Sequence, residues 1–168
     1  MAELLDPNPV RQLATLDTPV GLHTFPIENG APIVTPGVPH LKLWKQALNA
    51  LGTSQVGLER VRPELQKYAL QMGEGYRSEP LEVFSIYALS TTNTNEFTIT
   101  PVNGMRKVKL IGNCIYRRRF CEGASEVRKQ VLLLARNART CVAKRPKLGF
   151  ALDEFVDLLE GDIAACPE

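Results

Sequence analysis

Histidine is scarce in this chain. His23 and His40 are the only two among 168 residues. That argues against a histidine-rich metal site and leaves few general bases for a serine or cysteine nucleophile. The four cysteines, Cys114, Cys121, Cys141 and Cys166, are spaced by 7, 20 and 25 positions. That spacing matches no zinc or redox pattern, so no metal site is expected. The sequence contains no Gly-x-x-x-x-Gly-Lys-Ser/Thr loop to cradle a triphosphate and no Gly-x-Gly-x-x-Gly dinucleotide turn. It contains no run of eighteen apolar residues, so no membrane-spanning segment is expected. The opening stretch MAELLDPNPVRQ has no basic region followed by an apolar one and does not read as a secretory signal. The cysteines are then expected as reduced thiols in a cytoplasmic protein. Together these absences predict a domain without a complete active site of its own, and no catalytic residue is assigned.

What is present is an ordinary globular balance, 44% apolar and 23% charged, in a length that suits one domain. The net charge of +2 conceals an uneven distribution. Residues 1–96 carry seven basic and ten acidic residues, a net of −3. Residues 97–152 carry thirteen basic residues and only Glu122 and Glu126 as acids, a net of +11. Residues 153–168 carry six acids and no base. The basic third quarter could attract phosphates, nucleic acid or an acidic partner, or it could be answered by the chain's own acidic tail.

Residues 1–17 read as a loose arm and 18–168 as a single domain. Glu28-Asn29-Gly30 is a hairpin turn signal between short strands expected at 19–27 and 31–35. Leu41, Trp44, Leu48 and Leu51 recur at helical spacing and predict a helix over 41–51, stopped by Gly52, with Trp44 and Leu48 in the core. LEVFSIYALS at 81–90 predicts a buried central strand holding Val83, Phe84, Ile86, Tyr87 and Leu89, with EFTITPV at 96–102 as its hairpin partner. Helices follow at 102–115, at 123–141 (Val127, Val131, Leu134 and Ala138 on one face) and at 151–163. Residues 142–148 read as a short basic strand or loop. In the last helix Phe155 and Leu159 are core, opposite Asp153, Glu154 and Asp157. The fold class is α+β, a small, mostly antiparallel sheet with about three main helices.

Two basic clusters are candidate phosphate- or partner-binding sites. His40, in a loop bounded by proline and glycine, stands beside Lys42 and Lys45. Arg117, Arg118 and Arg119 are consecutive and point in different directions, which leaves at least one guanidinium free for a phosphate or carboxylate. Only Tyr116 and Phe120 are interleaved with them, so nucleic acid is the less favoured partner.

TPVGLHTFPIENGAPIVTPGVPHLKLWKQALNALG, residues 18–52, resembles a stretch of the HPr kinase-like proteins, bacterial serine kinases on the P-loop fold shared with phosphoenolpyruvate carboxykinase. PGVPHLKLW at 36–44 is the most specific part. VRPELQKYAL at 61–70 and PLEVFSIYAL at 80–89 follow in the family's order. The resemblance spans residues 17–163 and implies the C-terminal portion of such a protein. The family's P-loop lies upstream of this portion. Its paired magnesium-binding acids fall where this chain reads Asp17-Thr18, so Asp17 would be a remnant of the acidic site and the second acid is replaced. The opening Met1 favours a shortened relative over a fragment. The resemblance therefore implies a truncated or degenerate kinase-like domain that is not catalytic alone and binds a phosphate-bearing or acidic protein partner. A second reading is half of a serine kinase completed by a P-loop-bearing chain, in which case ATP and magnesium would be cofactors. A third is a basic nucleic-acid adaptor. Phosphoryl transfer is mainly positioning and charge neutralisation, so losing the phosphate loop removes most of what catalysis needs.

Overall fold

The alternation of Leu41 and Leu43 with His40, Lys42 and Trp44 favours an extended strand at 40–44. A computed structural model describes residues 27–28, 31–34, 39–72, 76, 79–114, 124–149 and 151–166. The described residues divide into two compact units, one drawn from those between 39 and 79 and the other from those between 27 and 34 and between 80 and 166. The class is α+β, with small, mostly antiparallel sheets and four helices.

In the first unit, β3 (His40–Trp44) pairs antiparallel with β4 (Lys67–Gln71), from His40 opposite Gln71 to Trp44 opposite Lys67. A short helix, α1 (Lys45–Ala50), leaves the end of β3. This corrects the helix expected over 41–51. Leu41 and Trp44 fit a helical spacing, but over five residues the period of two competes with it, and pairing with β4 satisfies the backbone of 40–44. Trp44 was expected in the core and is 51% exposed, whereas Leu48 is fully buried as expected. Gly52 ends α1 with φ +66°. Its N–H donates to the Asn49 carbonyl at 3.1 Å, and the Thr53 N–H donates to the Leu48 carbonyl at 2.9 Å. This double reverse bond needs a left-handed residue, which glycine adopts without a Cβ penalty. Residues 59–61 run beside β4, with Arg60 bridged to Tyr68.

The second unit begins with a hairpin, β1 (Ile27–Glu28) against β2 (Ala31–Val34), around the two-residue connection that the sequence signals. The far edge of β2 pairs with β5 (Leu81–Glu82). The apolar run at 81–90 then changes sheets. Val83 N–H still donates to the Pro32 carbonyl, while the Phe84 carbonyl accepts from Arg139 N–H and opens β6 (Ser85–Thr92). β7 (Thr98–Pro101) was expected to pair with that run. Instead β8 (Arg139–Pro146) lies between them, parallel to β6 and antiparallel to β7. The central strand is therefore β8. Val83 and Phe84 fall between strands, and Leu89, on the outer strand, is 63% exposed.

Helices cover both faces of this sheet. α2 (Gly104–Asn113) and α3 (Ala124–Asn137) pack on one side, where Ile111, Val131 and Leu134 meet Ile86 and Val108. α4 (Leu152–Ala164) covers the other, where Phe155 and Leu159 meet Ala143, Tyr87 and Ile99. The helix expected at 123–141 stops at Asn137, because the residues from Arg139 onward join the sheet. Being covered on both faces explains why Thr140 and its neighbour Cys141, which point to opposite faces of β8, are both almost fully buried, as is Ala143. Phe155 stacks on Phe97 with ring centroids 6.0 Å apart, and its burial contributes about 2–3 kcal/mol. Among the described residues no helix is long and apolar enough to cross a membrane.

Candidate functional site

Side chains alternate across a strand, so the β3–β4 ribbon has two chemically different faces. Leu41 and Leu43 share one with their partners Leu70 and Tyr68. His40, Lys42 and Trp44 share the other with Gln71, Ala69 and Lys67. The Lys67 ammonium lies over the Trp44 ring, 5.6 Å from its centroid. A cation there is drawn to the negative face of the indole, an attraction of about 0.5–1 kcal/mol at an exposed site. On the apolar side Arg60 lies over the Tyr68 ring at 5.8 Å and donates to the Pro63 carbonyl at 3.0 Å. The Ala69 N–H donates to the Glu59 carbonyl, which brings one acid alongside the polar face, against His40, Lys42 and Lys67. The result is a small cationic face around an exposed aromatic ring. An anion can be held there by charge-assisted hydrogen bonds while an apolar or planar group rests on the indole.

Of the candidates read from the sequence, His40 and Lys42 are brought onto this face, two residues apart on β3 rather than in a loop and a helix. Arg117, Arg118, Arg119 and Asp17 lie outside the described residues. Trp44 and Lys67 were missed as site residues. The alternation of HLKLW and KYALQ was the signal that could have found them.

The bases of residues 97–152 that the structure describes lie on α2, α3 and β8, with Lys147 just beyond β8. Burial lowers the pKa of Lys107. Arg139 grips Asp162 of the acidic tail bidentately, at 2.5 and 2.8 Å, and the Tyr87 hydroxyl donates to the same carboxylate at 2.6 Å. The hydrogen bond to Asp162 holds Arg139 further above its usual value, and the bond from Arg139 holds the Asp162 carboxyl below its own. Burial, with the Asp162 carboxylate beside it, pushes the Tyr87 phenol up to about 12. A carboxylate this well satisfied is a weak base and such a phenol is a poor acid at neutral pH, so the cluster serves as a clasp between α4 and the sheet. The Cys141 thiol is completely buried, and burial pushes its pKa up, which suits packing rather than nucleophilic attack.

No protein-family model matches the chain, and neither a curated protein nor a solved structure is significantly similar to it.

Proposed function

We propose that this chain is a degenerate HPr kinase-like domain, not catalytic alone, that binds a phosphate-bearing or acidic protein partner in the cytoplasm. The observation that carries the binding part is the cationic face of the β3–β4 ribbon, with His40, Lys42 and Lys67 around exposed Trp44. The family part rests on the resemblance of residues 18–52, whose most specific stretch, PGVPHLKLW, includes all of β3. On this reading ATP and magnesium act only if a P-loop-bearing chain supplies the phosphate site.

Trp44 is the only tryptophan in the sequence, so its emission reports on this face alone. A phosphoserine peptide should change that emission saturably, more weakly as salt is raised, while the unphosphorylated peptide does so far less. Replacing Lys42 and Lys67 together with glutamine should weaken binding about tenfold or more, the scale of one or two lost charge-assisted hydrogen bonds. No response of Trp44 to any acidic or phosphorylated peptide would refute the binding reading. Phosphoserine formed from ATP by the chain alone would refute the non-catalytic one.

A further inference from the structure

The ladder between β3 and β4 shows which way each backbone group of β3 points. Met72 N–H donates to the Pro39 carbonyl at 3.0 Å, and Lys45 N–H donates to the Gln66 carbonyl at 2.9 Å. In an antiparallel pair the residues that exchange hydrogen bonds recur every second position. Positions 39, 41, 43 and 45 therefore turn their backbone groups toward β4. The N–H groups of His40, Lys42 and Trp44, and the carbonyls of His40 and Lys42, point from the opposite edge. Among the described residues no strand pairs with that edge and no backbone group bonds to it. An unpaired edge is a template for another strand, and lysine on it discourages indiscriminate pairing.

The side chains beside this edge set the chemistry of an added strand. Residues opposite His40 and Lys42 would fall on the cationic face, where acids are favoured. Residues between them would fall beside Leu41 and Leu43, where apolar side chains are favoured. We propose that β3 binds its partner by strand addition, and that the partner is an extended acidic segment in which acidic and apolar residues alternate. This rests on the cationic-face reading above and adds the mode of binding and the sequence pattern of the segment. Main-chain bonds supply affinity in such complexes and alternate side chains supply selectivity.

The test uses a blocked peptide of alternating glutamate and valine with the full chain, followed by Trp44 emission and by amide hydrogen exchange. Without peptide the His40 and Lys42 amides should exchange fast, and those of Leu41 and Leu43, bonded to β4, slowly. At saturating peptide, exchange at His40 and Lys42 should slow by about tenfold or more, with Leu41 and Leu43 little changed. N-methylation of the glutamates, whose donors face β3 when their side chains lie on the cationic face, should abolish binding. Lys42→Pro should bind at least about tenfold more weakly than Lys42→Gln, because both lose the charge and only proline also loses the outward N–H.

Binding of the peptide that alters Trp44 emission but leaves the His40 and Lys42 amides unprotected would overturn strand addition and leave the cationic face standing. Strand addition also fails, with the cationic face intact, if the N-methylated peptide binds as well as its parent, or if a phosphoserine peptide binds and the glutamate–valine peptide does not. Protection of these amides in the free chain, with a dimer in sedimentation, would assign the edge to a second copy and overturn the acidic segment as its occupant.

Discussion

In the second unit, helices close both faces of the sheet around β8, and the residues at its centre, Thr140, Cys141 and Ala143, are almost inaccessible. In the first, Tyr68 of β4 and Leu48 of α1 are buried, and Trp44, His40 and two lysines stand on the other face of the β3–β4 ribbon. Both contain basic residues, but they use them differently. Arg139 in β8 is consumed by Asp162, whereas Lys67 in β4 rests on an aromatic ring with its charge still available. The difference separates a basic side chain committed to an ion pair from one set beside an exposed ring. Local charge density in the sequence points to the former, and the alternation of a five-residue strand points to the latter.

The largest effects are expected in the packed unit. Phe155→Ala, which empties the space between α4 and β8, should cost about 3–5 kcal/mol in chemical denaturation. Trp44→Ala should cost less than about 1 kcal/mol, since the ring is half exposed and loses mainly its contact with Lys67. A Trp44→Ala variant as unstable as Phe155→Ala would erase the contrast between the units.

The clasp comes next. Removing one partner, by Asp162→Asn or Arg139→Ala, should cost about 1–3 kcal/mol, since the pair is partly buried and hydrogen-bonded. The folded Asp162 carboxyl titrates below its unfolded value, so its contribution is present above the unfolded value and is lost as the pH falls through the folded one. Denaturation midpoints measured against pH should therefore fall in acid more steeply for the native chain than for Asp162→Asn. Tyr87 behaves in the opposite sense. Its folded pKa is raised from 10.0 to about 12, so its contribution is complete below 10.0 and is lost as the pH rises through about 12. Tyr87→Phe should remove that alkaline loss. The smallest effect is chemical. A thiol reagent should modify exposed Cys114 readily and buried Cys141 only after unfolding.

Much of the packed unit was legible in the sequence. Val131, Leu134, Phe155 and Leu159 announce their faces by helical spacing, because long amphipathic helices repeat that spacing over several turns. The strand order was not legible. Parallel pairing of β6 with β8 joins residues 85–92 to 139–146, and nothing local at 81–102 distinguishes it from the simpler hairpin. The run at 81–90 also looked like one strand, because the shift from β2 to β8 at Val83 and Phe84 leaves no glycine or proline behind. On the candidate face, His40 and Lys42 were legible as basic residues in a distinctive stretch. Trp44 was not, because four apolar residues at helical intervals outweighed five residues of alternation. Lys67 could not be added until the register placed it opposite Trp44.

The central claim, that the ribbon and not the basic third quarter receives the partner, is tested most directly by one comparison of affinities. Binding of a phosphoserine peptide is measured by calorimetry for the native chain, for Lys42→Gln with Lys67→Gln, and for Arg117→Ala, Arg118→Ala and Arg119→Ala combined. The account predicts that the ribbon variant loses about tenfold or more in affinity and the triple arginine variant loses clearly less, both with native circular dichroism. Full affinity in the ribbon variant, with binding lost in the arginine variant, would contradict it.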